Sequence, residues 1–314
     1  MDTPKADRRE ALRCMAWVGT GLLWTVVGGV PCAALLAAPV QAASAQAGSG
    51  FSFAQISDSH IGFDKPANPD TAGTLNECVT ALRGLPAHPA LLLHTGDVSH
   101  LSRAGQFDTA AQIIGTAGLE THYVPGEHDV LAGGAAPFAE RFQKREKQAE
   151  PGGGYYSFDA GGVHFIGLNN VSDLRAGGMG NLGAAQLAWL AADLRDRPAS
   201  QPIVVFAHVP LWTVYAAWGW GTEDAEQALA LLRRFGSVTV LNGHIHQVMQ
   251  KVEGSLAFHT ARSTAFPQPA PGAASGPGPM KVEPGRLRSL LGVAGVTVVP
   301  GQHSLAVLDV ALQG

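Results

Sequence analysis

Residues 51–60 read FSFAQISDSH, an apolar run that ends at an aspartate and a histidine. Aromatic and β-branched side chains in a short run bounded by polar residues predict a buried β-strand over 51–57. Asp58 and His60 stand directly beyond this strand. Ligand sites in layered α/β folds form outside the carboxyl ends of the strands. The stretch therefore predicts one strand of such a fold and a candidate site at its end.

Chemically active side chains follow four other predicted strands in the same way. These strands are predicted over 90–94, 121–124, 202–207 and 238–241. The residues that follow them are, in chain order, Asp97, Glu127, His128, His208, His244 and His246. One edge of the fold can gather all of these groups together with Asp58 and His60.

The rest of the chain alternates between short apolar runs and longer amphipathic stretches, which is typical of a mixed α/β layered fold. Further strands are predicted over 163–168, 248–252 and 304–310, and helices over 71–85, 105–117, 137–148, 184–194 and 223–235. Residues 266–279 are dense in Pro, Gly and Ala, which predicts a long surface loop. We expect one large domain over 48–314.

The first 47 residues have the composition of an export signal. Arg8 and Arg9 precede a stretch, 14–57, that has no charged side chain, and small residues follow the apolar part. This pattern resembles a twin-arginine signal, so we expect an exported, periplasmic protein and the twin-arginine machinery as a partner. The alternative is an anchor over 15–38, which is long enough to span a membrane and would make the membrane a partner.

Composition excludes one class of partner. The net charge is −4, and charged residues make up only 15% of the chain, so the basic surface that stable nucleic-acid binding requires is absent.

The spacing of the polar residues suits metal. In Asp58-x-His60 and His244-x-His246, the i, i+2 spacing aims both side chains to one side of an extended segment, where they can face one ion. Gly96, Gly126 and Gly243 precede the site residues and allow tight turns there.

The order Asp-x-His, Gly-Asp, Gly-x-His-Asp, His and Gly-His-x-His over about 51–246 resembles the calcineurin-like metallophosphoesterase family. The resemblance implies two packed mixed β-sheets flanked by helices in a four-layer sandwich, with a dinuclear metal centre at one end. It implies Asp58, His60 and His246 on one ion, Asp97 bridging, and His208, His244 and the residue at 127 on the other. His128 would lie near the leaving group, and the ions would be Mn, Fe or Zn, divalent or of mixed valence.

Two positions depart from the family pattern. Position 127 is Glu where the family usually has Asn, and position 100 is His. A ligating Glu127 adds a negative charge, so the charges of two divalent ions, three carboxylates and a bridging hydroxide sum to zero. We expect either that Glu127 ligates or that it disrupts the second ion site. His100 could be a further ligand, a partner that orients Asp97 or a plain surface residue, and we expect the second of these. Asp129 could raise the basicity of His128.

The predicted function is hydrolysis of phosphate monoesters or diesters on a small phosphorylated substrate. Two ions can activate a bridging hydroxide for attack on phosphorus, and His128 can protonate the leaving oxygen. A cyclic-nucleotide phosphodiesterase is one alternative, and a metal-binding protein silenced by Glu127 is another. Trp212, Tyr215 and Trp218 could stack a flat substrate group or simply pack under the next helix.

Overall fold

The computed structural model describes residues 50–143, 153–283, 285–298 and 305–313, together with the backbone of two strands nearer the N-terminus. Those strands, β1 (Leu23–Val27) and β2 (Val30–Ala34), pair antiparallel. Apart from them, the predicted export signal and the alternative anchor fall outside the described residues, so both stay predictions. In the part of the chain that is described, no helix has the length and apolar character needed to cross a bilayer.

One sheet has five strands in the order β13-β12-β3-β4-β5. Its strands are β3 (Ser52–Ile56), β4 (Leu91–His94), β5 (Glu120–Tyr123), β12 (Gly292–Thr297) and β13 (Ala306–Ala311). The strands β3, β4 and β5 are parallel to one another. Their carboxyl ends therefore meet at one edge of the sheet.

The other sheet has six strands in the order β10-β11-β9-β8-β7-β6. They are β6 (Tyr156–Ala160), β7 (Val163–Gly167), β8 (Ile203–Ala207), β9 (Val238–Asn242), β10 (Gln250–Glu253) and β11 (Leu256–Thr260). The central strands β7, β8, β9 and β11 run parallel, and the two edge strands are antiparallel to their neighbours.

The helices cover the outer faces of both sheets. They are α1 (Thr71–Ala81), α2 (Ala104–Gly115), α3 (Ala136–Phe142), α4 (Gly183–Leu194), α5 (Ala225–Leu232) and the short α6 (Leu287–Leu290). Buried side chains of α1, α2 and α3 pack on the five-stranded sheet, and those of α4 and α5 pack on the six-stranded sheet. Asp70 caps α1, because its carboxylate accepts the Gly73 N–H at 2.8 Å.

The two sheets face each other across a third apolar core. Phe53 of β3 and Phe165 of β7 meet there edge to face, with ring centroids 5.1 Å apart. The architecture is thus helix, sheet, sheet, helix, and the predicted four-layer sandwich is confirmed.

In the two large sheets, three strands, β6, β11 and β12, were not predicted. β12 reads GVAGVT, and its two glycines conceal the strand pattern. The backbone at Gly295 packs closely on Leu85, since a Cβ at Gly295 would lie 3.2 Å from the Leu85 side chain. The predicted helix over 223–235 begins later, at Ala225, because the Asp224 carboxylate instead accepts the N–H groups of Leu182 and Gly183 at the start of α4.

Candidate metal centre

The chemically active side chains gather where the strand ends of both sheets meet. Asp58 and His60 follow β3, Asp97 follows β4, and Glu127 follows β5 of the five-stranded sheet. His208 follows β8, and His244 and His246 follow β9 of the six-stranded sheet. The structure therefore brings together all seven residues that the sequence predicts as metal ligands.

The backbone at five of these residues is left-handed, with φ between 41° and 70°: Asp58, His60, Asp97, His244 and His246. The prediction of an extended backbone at Asp58-x-His60 and His244-x-His246 was therefore wrong. Left-handed turns, rather than a strand, aim these side chains at the site. Such a conformation is uncommon for residues with a Cβ and costs roughly 1–3 kcal/mol each, so it marks a functional turn.

Gly126 and Gly243 are required because they lack a side chain, and not because they adopt a backbone conformation that other residues avoid. Of the three glycines that precede site residues, Gly96, Gly126 and Gly243, only Gly96 has a positive φ, at 94°. A Cβ on Gly126 would lie 2.1 Å from Oδ1 of Asp97, and one on Gly243 would lie 2.6 Å from Oδ2 of Asp58. Both glycines are therefore needed because the ligand carboxylates pass over their Cα atoms.

Among the overlapping groups of candidate ligand atoms, two have two imidazoles and one carboxylate each. In one, Nε2 of His246 lies 3.2 Å from Oδ1 of Asp58 and 3.3 Å from Nε2 of His60. In the other, Nε2 of His208 lies 2.8 Å from Oε2 of Glu127 and 3.3 Å from Nδ1 of His244. Oxygen and imidazole ligands in this combination suit Mn, Fe and Zn.

Asp97 stands between the two groups. Its Oδ2 lies 3.4 Å from Nε2 of His60 and 3.5 Å from Nε2 of His208. Its Oδ1 accepts the His128 N–H at 2.9 Å, which fixes the orientation of the carboxylate. One carboxylate thus faces both groups, as a bridging ligand must.

The hydrogen bonds on the far side of the rings indicate a cation at the centre. Nδ1 of His208 donates to the Thr95 carbonyl at 2.7 Å, and Nδ1 of His246 donates to the Phe266 carbonyl at 2.5 Å. In the neutral rings, both Nε2 atoms therefore present lone pairs to the carboxylates Glu127 and Asp58. Lone pairs facing one another at these distances require a cation, so the residues present fit a metal ion in each group.

Burial and neighbouring charges shift the pKa values of the candidate ligands. Burial lowers the pKa of His60 to about 3, which keeps the ring neutral, as a metal ligand must be. Burial also opposes ionisation of Glu127, but His244 and His208 outweigh it and hold its pKa well below the ordinary value. The pKa of His208 is raised well above its ordinary value, because the carboxylates of Asp97 and Glu127 outweigh the effect of burial.

His100 contacts a ligand other than the expected one. Its Nδ1 lies 3.4 Å from Nδ1 of His60, and the rings meet at a steep angle. The sequence led us to expect contact with Asp97. The Nδ1 contact fits a His60 ring that donates outward and presents Nε2 to the centre.

His128 lies beside the ligands and lines the cavity at the centre. Its Nδ1 donates to the His100 carbonyl at 2.8 Å, so Nε2 remains for a substrate. Burial would lower the pKa of His128, but the charges of Asp97 and Glu127 raise it above its ordinary value. These features suit a proton donor.

Asp129 does not have the predicted contact with His128. Its carboxylate accepts hydrogen bonds from the backbone N–H groups of Val98, Ser99 and Gly126 and from the Ser99 hydroxyl. Burial and the charge of Asp97 raise its pKa to about 7, although these backbone hydrogen bonds act in the opposite direction. Asp129 therefore ties the turn after Asp97 to the turn that carries Glu127.

A cavity of about 190 Å³ lies over the ligands. Besides site residues, its lining includes Trp220, Phe266, Gln268 and residues 277–279. None of the three aromatic residues proposed for the substrate pocket lines it. Trp212 packs against Phe258 on the six-stranded sheet, and Tyr215 and Trp218 pack against each other. Trp220, two residues further along that aromatic segment, takes the place expected for them.

A family model described as calcineurin-like phosphoesterase matches residues 51–248. The chain belongs to this family. A 3',5'-cyclic-nucleotide phosphodiesterase of Nostoc sp. is 26% identical over 68% of this chain and 79% of its own. A glycerophosphodiester phosphodiesterase of Enterobacter lignolyticus is 27% identical over 69% of this chain and 78% of its own.

Among solved structures, a dimetal phosphatase from Danio rerio shares the fold, with a TM-score of 0.64 and 14% sequence identity. The alignment covers 83% of this chain and 96% of that chain.

The predicted activity class is thereby confirmed. This calcineurin-like phosphoesterase is a hydrolase of phosphate esters, and its residues are placed to bind a metal centre. The family implies two metal ions.

Proposed function

We propose that the protein is a phosphodiesterase with two metal ions, one held by Asp58, His60 and His246 and the other by Glu127, His208 and His244. Asp97 bridges them. The observation that carries the proposal is the pair of like ligand groups on either side of one carboxylate. When bound, the ions supply Lewis acidity that polarises the phosphoryl group and activates a water.

The charge of the site favours a diester over a monoester. A phosphodiester carries one negative charge, whereas a monoester carries close to two at neutral pH. Three carboxylates offset most of the positive charge of two divalent ions, and no lysine or arginine is among the described residues that line the cavity. A dianion gains less in such a site than in one with an arginine. Two relatives that match most of this chain are also phosphodiesterases.

His128 assists departure of the alcohol. The water oxygen forms the new bond to phosphorus, the bond from phosphorus to the leaving oxygen breaks, and that oxygen takes the proton from Nε2 of His128. The Nδ1 hydrogen bond to the His100 carbonyl holds the ring in place. The charges of Asp97 and Glu127 raise the pKa of His128, which favours the protonated ring that this step needs.

Equal ligand groups favour two like divalent ions. Each group offers two imidazoles and one carboxylate, so neither is better suited to a trivalent ion. Mn²⁺, Fe²⁺ or Zn²⁺ in both positions meets this requirement.

Hydrolysis of two esters with the same leaving group tests the proposal. We expect the purified protein, loaded with Mn²⁺, to cleave methyl 4-nitrophenyl phosphate with a kcat/KM at least about tenfold above that for 4-nitrophenyl phosphate. An Asp97→Asn variant should lose both activities, and Asp108→Asn, an exposed change on α2, should keep them. A preference for the monoester would contradict the proposal.

A further inference from the structure

The imidazole rings of His60, His100 and His128 converge in the cavity, and only His60 belongs to a ligand group of the proposed function. All three residues line the cavity over the metal centre. Each ring offers one nitrogen atom, and the three nitrogens lie within 4.8 Å of one another. His60 uses only its Nε2 towards the centre, where this atom lies 3.3 Å from Nε2 of His246. Its Nδ1 is therefore free to take part in a second group.

The spacing of the nitrogens matches that of the two ligand groups. Nδ1 of His60 and Nδ1 of His100 lie 3.4 Å apart. The ligand nitrogens of His60 and His246 lie 3.3 Å apart, and those of His208 and His244 are separated by the same 3.3 Å. Two imidazoles on one tetrahedral zinc ion, each at about 2.0–2.1 Å, place their nitrogens roughly 3.3–3.4 Å apart. His60 and His100 therefore have the spacing of a pair that shares an ion.

His128 supplies the third nitrogen. Its Nδ1 donates to the His100 carbonyl at 2.8 Å, so Nε2 is the atom left to bind an ion. The centre of its ring lies 4.8 Å from the ring centres of both His60 and His100. The rings of His208 and His244, which share an ion in the proposed centre, lie 5.1 Å apart. The three rings are thus as close together as rings that bind one ion.

Carboxylates draw a cation towards His128. One of its ring nitrogens and one oxygen each of Asp97 and Glu127 lie within 4.8 Å of one another. An amide at position 127 would leave one more positive charge on a centre that holds two divalent ions, and a further cation would be repelled more strongly. Glu127 therefore lowers the electrostatic cost of a third cation beside the centre.

We propose that His100, His128 and Nδ1 of His60 form a third cation site, which binds Zn²⁺ after the centre has filled and inhibits the protein. His60 then binds one ion through each ring nitrogen, and the Nδ1 proton passes to solvent. Imidazoles suit Zn²⁺ better than Mn²⁺, which prefers carboxylates. Once its Nε2 binds the ion, His128 has no proton to give to the leaving oxygen. The inhibition rests on the proposed function, whereas the binding of the third ion does not.

Zinc binding measured without turnover tests the site. The Zn²⁺-loaded protein is dialysed to equilibrium against rising concentrations of free Zn²⁺, and mass spectrometry counts the ions per chain. We expect two ions at low free Zn²⁺ and three at high free Zn²⁺. His100→Gln and His128→Asn should each weaken the third step at least about tenfold and keep the first two ions, which shows that the centre is intact.

His88→Gln is the matched control, because His88 is exposed and an exposed histidine can bind zinc without a built site. This variant should keep all three ions. A third ion held as tightly by His100→Gln as by the unaltered protein would overturn the inference. So would binding that stops at two ions at every soluble zinc concentration, or a third ion that His88→Gln loses.

Inhibition by zinc links the site to the reaction. For an ester with an alkyl leaving group, excess Zn²⁺ should lower kcat about 10²-fold, because the proton donor is blocked. Each protein is compared with its own rate at low zinc, and half-inhibition of His100→Gln should need at least about tenfold more zinc. Equal sensitivity of the two proteins would overturn the inference. No hydrolysis at low zinc would refute the proposed function alone, since the third binding step is measured without substrate.

Discussion

At the level of single residues, the metal centre depends on backbone conformations that are costly for residues with a Cβ. Asp58, His60 and Asp97 all have a positive φ. Two backbone hydrogen bonds hold them, since the Asp58 N–H donates to the Gly96 carbonyl at 3.0 Å and the His60 N–H to that of Asp97 at 2.9 Å. The turns after β3 and β4 therefore fix each other before any ion binds.

Glu127 should hold the second ion. Because Oε1 lies 3.1 Å from Nδ1 of His244 and Oε2 lies 2.8 Å from Nε2 of His208, removing its charge leaves two imidazoles without a carboxylate of their own. We expect Glu127→Gln to weaken binding of one Mn²⁺ by at least about tenfold and to leave the other nearly unchanged. Isothermal titration calorimetry measures both steps. The control is Glu120→Gln, an exposed carboxylate on β5; equal affinities in both variants would refute the assignment.

The loss of kcat on removing His128 should be larger for a leaving group that needs a proton to depart. We expect His128→Asn to lower kcat about 10²-fold for an ester with an alkyl leaving group. The loss should be much smaller for 4-nitrophenyl esters, because nitrophenolate departs without a proton. Steady-state kinetics on both esters checks this, and equal losses would argue that His128 acts on phosphate binding instead.

At the level of elements, the sequence placed the strands that carry the ligands because each is a short apolar run with a polar end. β3, β4, β5, β8 and β9 all match predicted strands to within one or two residues. β12 escaped prediction because the pairing of a glycine-rich strand is set by its two neighbours, β13 and β3, and not by its own side chains. The left-handed turns after β3, β4 and β9 could not be predicted either, because aspartate and histidine reach that conformation only when tertiary contacts impose it.

The turn after β5 should tolerate no side chain at Gly126. A Cβ there would lie 2.1 Å from Oδ1 of Asp97 and 2.3 Å from its backbone nitrogen, so the bridging carboxylate must move. We expect Gly126→Ala to lose at least one of the two bound ions, as measured by inductively coupled plasma mass spectrometry.

Gly105→Ala on α2 is the matched control, because nothing lies within 4 Å of a Cβ at that position. It should keep its metal and gain up to about 1 kcal/mol in free energy of unfolding from helix propensity. Normal metal content in Gly126→Ala would contradict the steric argument.

At the level of the whole molecule, stability should fall in acid through a histidine buried behind the centre. His94 is fully buried, its Nε2 contacts the Ser59 hydroxyl at 2.8 Å, and its Nδ1 has no partner among the described residues. Burial lowers its pKa to about 4. Between pH 6.5 and 4 the unfolded chain therefore binds a proton that the folded chain does not, and stability falls as pH falls.

We expect the His94 contribution to the free energy of unfolding to decrease by up to about 1.4 kcal/mol per pH unit in that window. Urea unfolding of the metal-free protein at pH 7 and pH 5 measures it, and His94→Gln should show a shallower pH dependence. An identical slope in the variant would contradict this account. His164 offers a comparison, since both of its ring nitrogens already contact carboxylates.

The sequence predicted the sandwich and the convergence of seven candidate ligands, but it could not predict the space above them. The ligands follow strand ends, and strand ends are visible as apolar runs. Trp220, Phe266 and Gln268 line the cavity together with residues 277–279, and these segments share no sequence pattern that would predict their meeting. Substrate selection is therefore the part of the function that needs the structure.

Metal stoichiometry tests the account most directly. Mass spectrometry of the protein after saturation with Mn²⁺ and removal of free metal should find two ions per chain, and Asp97→Ala should hold at most one. A single ion in the unaltered protein, or two ions retained after loss of Asp97, would contradict a centre built from two ligand groups that share one carboxylate.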